Sequence, residues 1–401
     1  MKTTKKVMVT MSEKITFTPT NYTGWGAINN LEIELKRLNI TNVLIVTDPF
    51  LKEIGLTGYL TKPIEKIGIN YDIYTKIVPE PPLDIGESLV TYTKEHQFDG
   101  IIGLGGGSAL DLSKLAGVLS THEGKVEDYL NLSATRKITH KGLPKILVPT
   151  TSGTGSEVTN ISVLTLESTK DVVTDDHLLA DVAIIDPQLT MSLPPRVTAA
   201  TGIDALTHAI EAYVSKNSSS VTDALAIKAI NLISSSIRDA VFQGNNREAR
   251  INMSYGSYLA GLAFFNAGVA GVHALAYPLG GQFNIAHGES NAVLLPYVMD
   301  YIRPSCEKKL KDIYDAMGFS STNLSQEEAS INCIKELKRL VKDVNIPLSL
   351  KEFNIPEDAI VDLANDALKQ ERLLARSPLT LNLEDIQNIY NLAYTDISKK
   401  I

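Results

Sequence analysis

The chain has 401 residues, 44% of them hydrophobic and 21% charged, which is the composition of a globular protein with a large core. The formal net charge of −8 argues against nucleic acid as a partner, because binding a phosphate backbone requires a basic surface. Two cysteines, Cys306 and Cys333, are too few for a disulfide framework and are expected to be reduced thiols of a cytoplasmic protein.

The chain gives no membrane or targeting signal. No run of about 18 apolar residues occurs, so no membrane span and no membrane partner are expected. The N-terminal segment MKTTKKVMVTM carries lysines, but its apolar part is too short and too polar for a signal peptide. We interpret the first ten residues as an extension ahead of the fold, with Met11 as an alternative start.

The first half alternates short β-branched runs with helical periodicity. The predicted strands are NVLIVTD (42–48), DGIIGLGGGS (99–108), KILVPTT (145–151) and DVAIIDP (181–187). Helical patterns occupy 83–96 and 109–120 between them. Strands that alternate with helices predict a parallel sheet with helices on its faces.

The second half has no convincing strand after SLPPR (192–196). Helices are predicted at 198–214, 219–241, 246–264, 269–281, 325–343, 356–370 and 383–397, and a loop at 372–382. The Pro194–Pro195 pair is a natural boundary, since proline interrupts regular elements. The sequence therefore predicts an α/β domain over 1–191 and an all-helical domain over 192–401.

A glycine turn follows the second strand and opens a helix, in GLGGGSALDLSK (103–114). Backbone N–H groups at such a turn bind phosphate, with support from the helix dipole. The turn matches neither G-x-G-x-x-G, because position 108 is serine, nor the Walker A loop, so a pyrophosphate is favoured over ATP. Alternatively, Ser108 and Asp111 form a capping box without a ligand.

Two further features suggest a nucleotide. Asp48 ends the first predicted strand, where an acid can bind a ribose 2′-hydroxyl and repel a 2′-phosphate. It lies far ahead of the glycines rather than about 20 residues after them, so a plain turn residue is the alternative. The loop PTTSGTGSEVT (149–159) offers several hydroxyls and two glycines, which is typical of a loop that contacts a ligand.

Four residues have the chemistry of a metal site. Asp204 and His208, in TGIDALTHAIEAY (201–213), share one helix face at i and i+4. His273 and His287, two of only seven histidines, lie in a segment rich in glycine and alanine. A helix hydrogen bond or histidines buried in the core would be the simpler interpretation. Together the four offer nitrogen and oxygen ligands suited to Fe²⁺, Zn²⁺, Mn²⁺ or Ni²⁺.

These motifs, in this order, resemble the group III iron-dependent alcohol dehydrogenase family, and the resemblance runs from GWGA (24–27) to LEDIQNIYNLAY (383–394). It implies a dehydroquinate synthase-like fold with the active site in the cleft between an α/β domain and a helical domain. It implies metal ligation by Asp204, His208, His273 and His287. The NAD-binding positions that it implies are Asp48, Gly106, Gly107, Ser108, Thr150, Thr151, Thr159 and Lys170, and we add Asp111 as a further expected cofactor-binding residue.

Two positions depart from the family pattern. Many members have a second histidine, often assigned to proton transfer, where this chain has Tyr277, and a tyrosine of pKa about 10 is a poor proton shuttle near neutral pH. Either another group or bulk water then moves the proton, or Tyr277 shapes the pocket. Glu80 replaces the asparagine that is common in the family's VPNP motif and adds negative charge near the cofactor.

The predicted activity is reversible, metal-dependent hydride transfer between a small or aliphatic alcohol and NAD, which gives an aldehyde or ketone and NADH. Fe²⁺ is the first choice of metal and Zn²⁺ the second. Phe264, Phe265 and Tyr277 either line the substrate pocket or pack in the core. The alternatives are a zinc polyol dehydrogenase, a lyase or hydrolase on the same fold, and a non-catalytic nucleotide-binding protein. Family members self-associate, so the resemblance implies a homodimer or a larger assembly.

Overall fold

The computed structural model describes residues 13–166 and 170–396. The predicted N-terminal extension therefore lies outside the described residues. The strands are β1 (Thr20–Thr23), β2 (Asn42–Val46), β3 (Asn70–Tyr74), β4 (Gly100–Gly105), β5 (Lys145–Pro149), β6 (Ile161–Thr165), β7 (Lys170–Thr174) and β8 (Val182–Ile185). The helices of the first half are α1 (Leu31–Arg37), α2 (Pro49–Glu53), α3 (Gly58–Lys66), α4 (Leu83–Glu95) and α5 (Gly107–Leu119).

The helices of the second half are α6 (Pro195–Val214), α7 (Ser220–Phe242), α8 (Arg247–Ala267), α9 (Gly271–Phe283), α10 (His287–Ile302), α11 (Glu307–Ala316), α12 (Gln326–Asp343), α13 (Ile360–Leu368), α14 (Glu371–Leu374) and α15 (Leu383–Thr395). Within the described residues, no strand follows β8, as predicted. The fold class is thus an α/β part with a parallel sheet followed by a helical part.

Six strands form one parallel sheet in the order β1-β8-β5-β4-β2-β3. The four predicted strands, β2, β4, β5 and β8, are confirmed and lie at its centre. Their residues are almost all buried, because helices cover both faces of the sheet. This explains why these strands are continuous apolar runs and do not alternate apolar with polar residues. The chain runs from β2 outward to β3 and then back to β4, so the strand order reverses between β2 and β4. Ligands of such sheets bind at this reversal, outside the carboxyl ends of the strands.

Strands β6 and β7 form a separate antiparallel pair that the sequence analysis did not predict. The pair lies against α5, where Ser162 donates to the carbonyl of Asp111. Pro82 bridges to Thr165, which ties the pair to the start of α4. The pair therefore closes one side of the carboxyl edge of the main sheet.

The helical part is built on α6, α7 and α8, which pack on one another, and α9 and α10 cover α6. Helix α6 begins at Pro195, where its fixed φ suits the first helical position and no N–H is needed. The helix predicted at 356–370 is confirmed as a single turn followed by α13. Helices α10 and α11 were not predicted, and the loop expected at 372–382 was wrong at its start, where it overlaps α14.

In the part of the chain that the structure describes, no single helix is long and apolar enough to cross a membrane. The pair α8 and α9 meets the length and composition test only when taken together, and it is bent by 104° at its break.

Candidate metal centre and cofactor cleft

Four side chains from three helices converge at the inner end of a cleft. Asp204 and His208 lie on α6, His273 lies near the start of α9, and His287 is the first residue of α10. Each offers one ligand atom, and these atoms all lie within 4.8 Å of one another. Asp204, His208 and His273 are buried, while His287 is half-buried and faces the cleft. The structure thus brings together all four residues that the sequence singled out.

The cluster holds more acceptors than its protein neighbours can satisfy. The Nδ2 amide of Asn291 lies 2.7 Å from Asp204 Oδ1, 3.1 Å from His273 Nε2 and 3.2 Å from His287 Nε2. An amide group has two hydrogens, so it can donate to at most two of these three atoms. A buried set of lone pairs that point at each other fits a bound cation, which makes the residues present suitable for a divalent metal.

Glu211 was missed by the sequence analysis, although it stands one turn after His208 on the same face of α6. Its carboxylate accepts from His273 Nδ1 at 2.6 Å and from the backbone N–H groups of Ala270 and Val272. With Nδ1 used in this way, Nε2 of His273 faces the cluster. Carboxylate partners of this kind orient histidines that bind metals.

The protonation states suit ligation. Burial lowers the pKa of His208 to about 3 and that of His287 to about 4, so both imidazoles are neutral and carry a lone pair at neutral pH. Burial alone would raise the pKa of Asp204, but His208, the other two histidines and Asn291 hold it below its ordinary value. The cluster is therefore one carboxylate and neutral nitrogen donors, as a metal requires.

The predicted cofactor residues fall at the carboxyl edge of the sheet. Asp48 follows β2 and caps α2 by accepting from the N–H of Leu51, which agrees with a turn role and leaves its second oxygen beside Gly105. Gly106 and Gly107 follow β4, on the other side of the strand reversal.

The threonine loop follows β5, and Thr150 donates its N–H to the carbonyl of Gly105 at 3.0 Å. A Cβ on Gly106 would meet Thr151, and one on Gly107 would lie 2.8 Å from Thr154, so the two loops are in contact. The glycines therefore allow a close approach that a side chain would block.

The capping box proposed for Ser108 and Asp111 is wrong. Helix α5 begins at Gly107 with Gly106 as its N-cap, so Ser108 already lies inside the helix. Asp111 instead pairs with the buried Lys114 and accepts from the hydroxyl of Ser156 and from the N–H of Val163. It fixes α5 to the threonine loop and to β6. The first-turn N–H groups of α5 remain without a side-chain cap, as an anion site requires.

One cavity of about 330 Å³ joins the glycine turn to the metal cluster. Its lining includes Gly107, Ser108, Asp111, Thr159, Lys170, His208, His273 and His287. Asp48, Gly106, Thr150, Thr151 and Asp204 are not in direct contact with it. The cavity thus connects the start of α5, just after β4, with the four converging side chains of the helical part.

Aromatic and charged side chains complete the cavity wall. Phe264 and Phe265 line it, and Phe264 also stacks on His208 with ring centroids 4.3 Å apart. Tyr277 lies with its ring centroid 6.0 Å from that of His287, and burial raises the pKa of its hydroxyl. Glu80 pairs with Lys170; burial would raise its pKa, but the ammonium holds it below the ordinary value.

Comparisons with known proteins agree with this geometry. Residues 18–187 match the family model described as iron-containing alcohol dehydrogenase, and residues 198–394 match the Fe-containing alcohol dehydrogenase family, C-terminal. The two models together span nearly the whole described chain.

The matches span nearly the full length of the relatives. The chain is 62% identical over 381 residues to long-chain-alcohol dehydrogenase 1 of Geobacillus thermodenitrificans strain NG80-2, covering 95% of this chain and 96% of that one. It is 34% identical over 373 residues to the NAD-dependent methanol dehydrogenase of Bacillus methanolicus, covering 92% and 97%. The crystal structure of a 1,3-propanediol oxidoreductase superposes with a TM-score of 0.92 at 36% identity, covering 96% of this chain and all of that chain. The chain therefore belongs to the iron-containing alcohol dehydrogenase family and is an NAD-dependent, metal-dependent alcohol oxidoreductase.

Proposed function

We propose that Asp204, His208, His273 and His287 hold a single divalent metal ion, with Fe²⁺ as the first choice and Zn²⁺ as the second. The observation that carries this proposal is the convergence of four ligand atoms within 4.8 Å, buried and short of hydrogen-bond donors. Nitrogen and oxygen donors without a thiolate suit either ion. If the histidines only packed in the core, there would be no reason for so many hydrogen-bond acceptors to face one another.

The NAD site in this proposal follows the carboxyl edge of the sheet, with the pyrophosphate at the N-terminus of α5. Its residues are those of the glycine turn, the threonine loop and their neighbours: Asp48, Gly106, Gly107, Ser108, Asp111, Thr150, Thr151, Thr159 and Lys170. Asp111 acts by fixing the loops, because its carboxylate is already paired with Lys114. Asp48 beside the strand reversal favours NAD over NADP, since its charge would repel a 2′-phosphate.

A metal bound here supplies Lewis acidity toward a substrate oxygen, and NAD supplies the hydride acceptor. Side chains of the protein orient the proposed ligands and exclude water. Glu211 keeps His273 oriented, and Asn291 donates to Asp204. Phe264 and Phe265 exclude water from the apolar side of the cavity, which favours an unbranched aliphatic chain in the substrate.

Tyr277 is proposed as a wall of the pocket and not as a proton shuttle. Its pKa is raised by burial, so its hydroxyl stays protonated at neutral pH and can only donate a hydrogen bond or accept one. Proton release to solvent then has to use another group or water in the half-open cleft beside His287. This separates the chain from family members that have a histidine at this position.

The remaining features follow the family. The domain boundary is proposed at residues 191 and 192, between the last turn after β8 and the start of α6. The substrate is a small-molecule alcohol or aldehyde. A cytoplasmic location and a homodimer or larger assembly are proposed on the reduced-thiol composition and on the family resemblance, respectively.

The test uses anaerobically purified protein loaded with Fe²⁺ or Zn²⁺, mixed with NAD⁺ and a series of primary alcohols, with NADH absorbance as the readout. We expect NADH to form only when metal is present. Asp204→Ala and His273→Ala should each lose both bound metal and turnover, whereas the exposed control His96→Ala should keep both. The ligand assignment fails if either alanine variant retains metal and activity. If no alcohol yields NADH but the metal-loaded protein catalyses a hydrolysis, the result favours the hydrolase alternative.

A further inference from the structure

Two arginines line the cavity, and the proposed chemistry uses neither. Arg372 lies in α14 and Arg376 lies one turn further along the chain. Both belong to the helical part and share the cavity with Tyr277 and His287. Neither a neutral aliphatic alcohol nor the proposed metal ligands need two guanidinium groups at this place.

The two side chains differ from every other arginine of the chain. The other eight each bind an acid or a carbonyl or stack on an aromatic ring: Arg37, Arg136, Arg196, Arg238, Arg247, Arg250, Arg303 and Arg339. Within residues 13–166 and 170–396, neither the Arg372 nor the Arg376 guanidinium has a hydrogen bond or an ion pair. Like charges one helical turn apart are unfavourable unless an anion joins them.

The acids of the cavity are already occupied. Glu80 pairs with Lys170, and Asp111 pairs with Lys114. The described lining therefore has a surplus of positive charge at the arginines. Burial and the neighbouring Arg372 both lower the pKa of Arg376, whose side chain is half-buried, whereas Arg372 is exposed.

Arg376 is held in place by its surroundings. Its backbone N–H donates to Leu373, and its carbonyl accepts from Lys216 just beyond the end of α6. Its side chain crosses the face of Gly268, where a Cβ would lie 2.4 to 2.5 Å from the Cδ, Nε and Cζ atoms. Any larger residue at 268 would displace the guanidinium, so the space for it depends on that glycine.

The position of the pair favours the substrate over the cofactor as its ligand. The phosphate site proposed for NAD lies on the sheet part, at the start of α5. The arginines stand on the helical part and line the cavity together with Tyr277. Tyr277 in turn neighbours His287 of the metal cluster.

We propose that Arg372 and Arg376 bind a terminal carboxylate on the substrate, so that the enzyme takes ω-hydroxycarboxylates and the corresponding ω-oxocarboxylates. This rests on the proposed alcohol dehydrogenase function. The hydroxyl end loses one hydride to NAD⁺ and one proton to solvent, which gives an aldehyde, NADH and H⁺. The carboxylate takes no part in bond making. Guanidinium forks match carboxylates through paired charge-assisted hydrogen bonds and fix the length of chain between the two ends.

The test compares pairs of substrates that differ only in charge: 6-hydroxyhexanoate with 1-hexanol, and 12-hydroxydodecanoate with 1-dodecanol. Metal-loaded enzyme should have the higher kcat/KM for the hydroxycarboxylate of at least one pair. Arg372→Met and Arg376→Met should each lower that value by about 10- to 100-fold, the range expected for a lost charge-assisted hydrogen bond. They should leave KM for NAD⁺ as in the wild type and should change kcat/KM far less for the neutral alcohol than for the hydroxycarboxylate. Arg376→Lys should recover part of the loss.

A binding readout accompanies the kinetics, namely the rise in Tm of the NAD⁺ complex on adding each hydroxycarboxylate, which should vanish in the methionine variants. Arg339→Met, on the outer face of α12, is the matched control and should behave as wild type. The inference is overturned if the wild type prefers the neutral alcohol in both pairs, or if the arginine variants raise KM for NAD⁺ instead. Either result would leave the dehydrogenase function intact. Absence of NADH with every substrate would instead count against the proposed function itself.

Discussion

At the scale of single residues, Glu211 decides which nitrogen of His273 faces the cluster. The side chain is fully buried and accepts four hydrogen bonds, from the backbone N–H groups of Ala270, Val272 and His273 and from the imidazole of His273. Glutamine at this position keeps the volume of the side chain but replaces one carboxylate oxygen with an NH₂ group, which cannot accept a hydrogen bond. The tautomer of His273 would then no longer be fixed.

We therefore expect Glu211→Gln to weaken metal affinity by about 10- to 100-fold, the usual cost of losing a partner of a metal-binding histidine. Titration of metal-free protein with Fe²⁺ or Zn²⁺ measures it. Glu95→Gln, an exposed change at the end of α4, should leave the affinity as in the wild type. Equal affinities in all three proteins would show that Glu211 has no part in orienting His273.

Glu157, in the threonine loop, gives the fold a predictable response to pH. The side chain is 3% exposed, and burial raises its pKa from 4.5 to about 7. The folded protein therefore binds this proton more tightly than the unfolded chain. The resulting stability is fully present below the unfolded pKa and is lost as the pH rises through the folded pKa.

Between about pH 5 and pH 8, the unfolding free energy of the wild type should fall by up to about 3 kcal/mol more than that of Glu157→Gln. Urea unfolding of both proteins at several pH values measures the difference. The exposed variant Glu95→Gln should follow the wild type. Parallel pH profiles for wild type and Glu157→Gln would mean that the buried carboxyl does not titrate in this range.

The four residues proposed as metal ligands could be singled out from the sequence because acidic and imidazole side chains are rare in apolar helices. Glu211 carried the same signal, since Asp204, His208 and Glu211 fall on successive turns of one helix face. Asn291 carried none, because an asparagine is chemically ordinary and only the fold brings it to the cluster. The arginines of the cavity also escaped notice, as their segment was interpreted as a loop.

At the scale of elements, the start of α10 positions His287. Gly288 follows it and lies against α6, where a Cβ would be 2.3 Å from the carbonyl oxygen of Ala200. Backbone cannot move aside as a flexible side chain can. The glycine therefore lets α10 approach α6 closely enough for His287 to join Asp204.

Gly288→Ala should destabilise the protein by about 1 to 3 kcal/mol through overpacking and should weaken metal binding at the same time. Denaturant unfolding and metal titration measure the two effects. Gly58→Ala, at the start of α3, meets only Lys62 at 3.9 Å and serves as the matched helical control. Unchanged stability and metal affinity in Gly288→Ala would mean that the two helices are not fixed by this contact.

Several elements that were not predicted have a physical reason to escape a local pattern. Helix α10 is buried on nearly every side and contains Pro296, so it has neither an amphipathic stripe nor an uninterrupted pattern. Strands β1 and β3 form the two edges of the sheet and are largely half-exposed, so they lack the apolar runs of the central strands. Tertiary position, and not local propensity, determined these elements.

At the scale of the whole molecule, the α/β and helical parts meet through very small residues. A Cβ on Gly155 of the threonine loop, where φ is +60°, would lie 2.6 Å from the Cα of Gly261 on α8. The proposed cofactor loop and the helical part are therefore in backbone contact, which keeps the distance between the two halves of the cavity short. Hydride transfer needs such control, since reacting atoms must approach to about 3 to 3.5 Å.

The two-part architecture could be predicted, because the change from alternating strands and helices to helices alone is visible along the chain. The strand order could not, because pairing between distant strands leaves no mark in a single sequence. With the order known, Asp48 and the glycine turn fall on opposite sides of the strand reversal. That explains why an acid so far ahead of the glycines can belong to the same proposed site.

The most direct test is a crystal structure of the anaerobically prepared protein with NAD⁺, measured at the absorption edge of iron and at that of zinc. We expect one anomalous peak per chain, about 2.0 to 2.2 Å from an oxygen of Asp204 and from a nitrogen of each of the three histidines. The nicotinamide should occupy the cavity beside it. A metal bound elsewhere, or four side chains that hydrogen-bond to one another around no peak, would contradict the account.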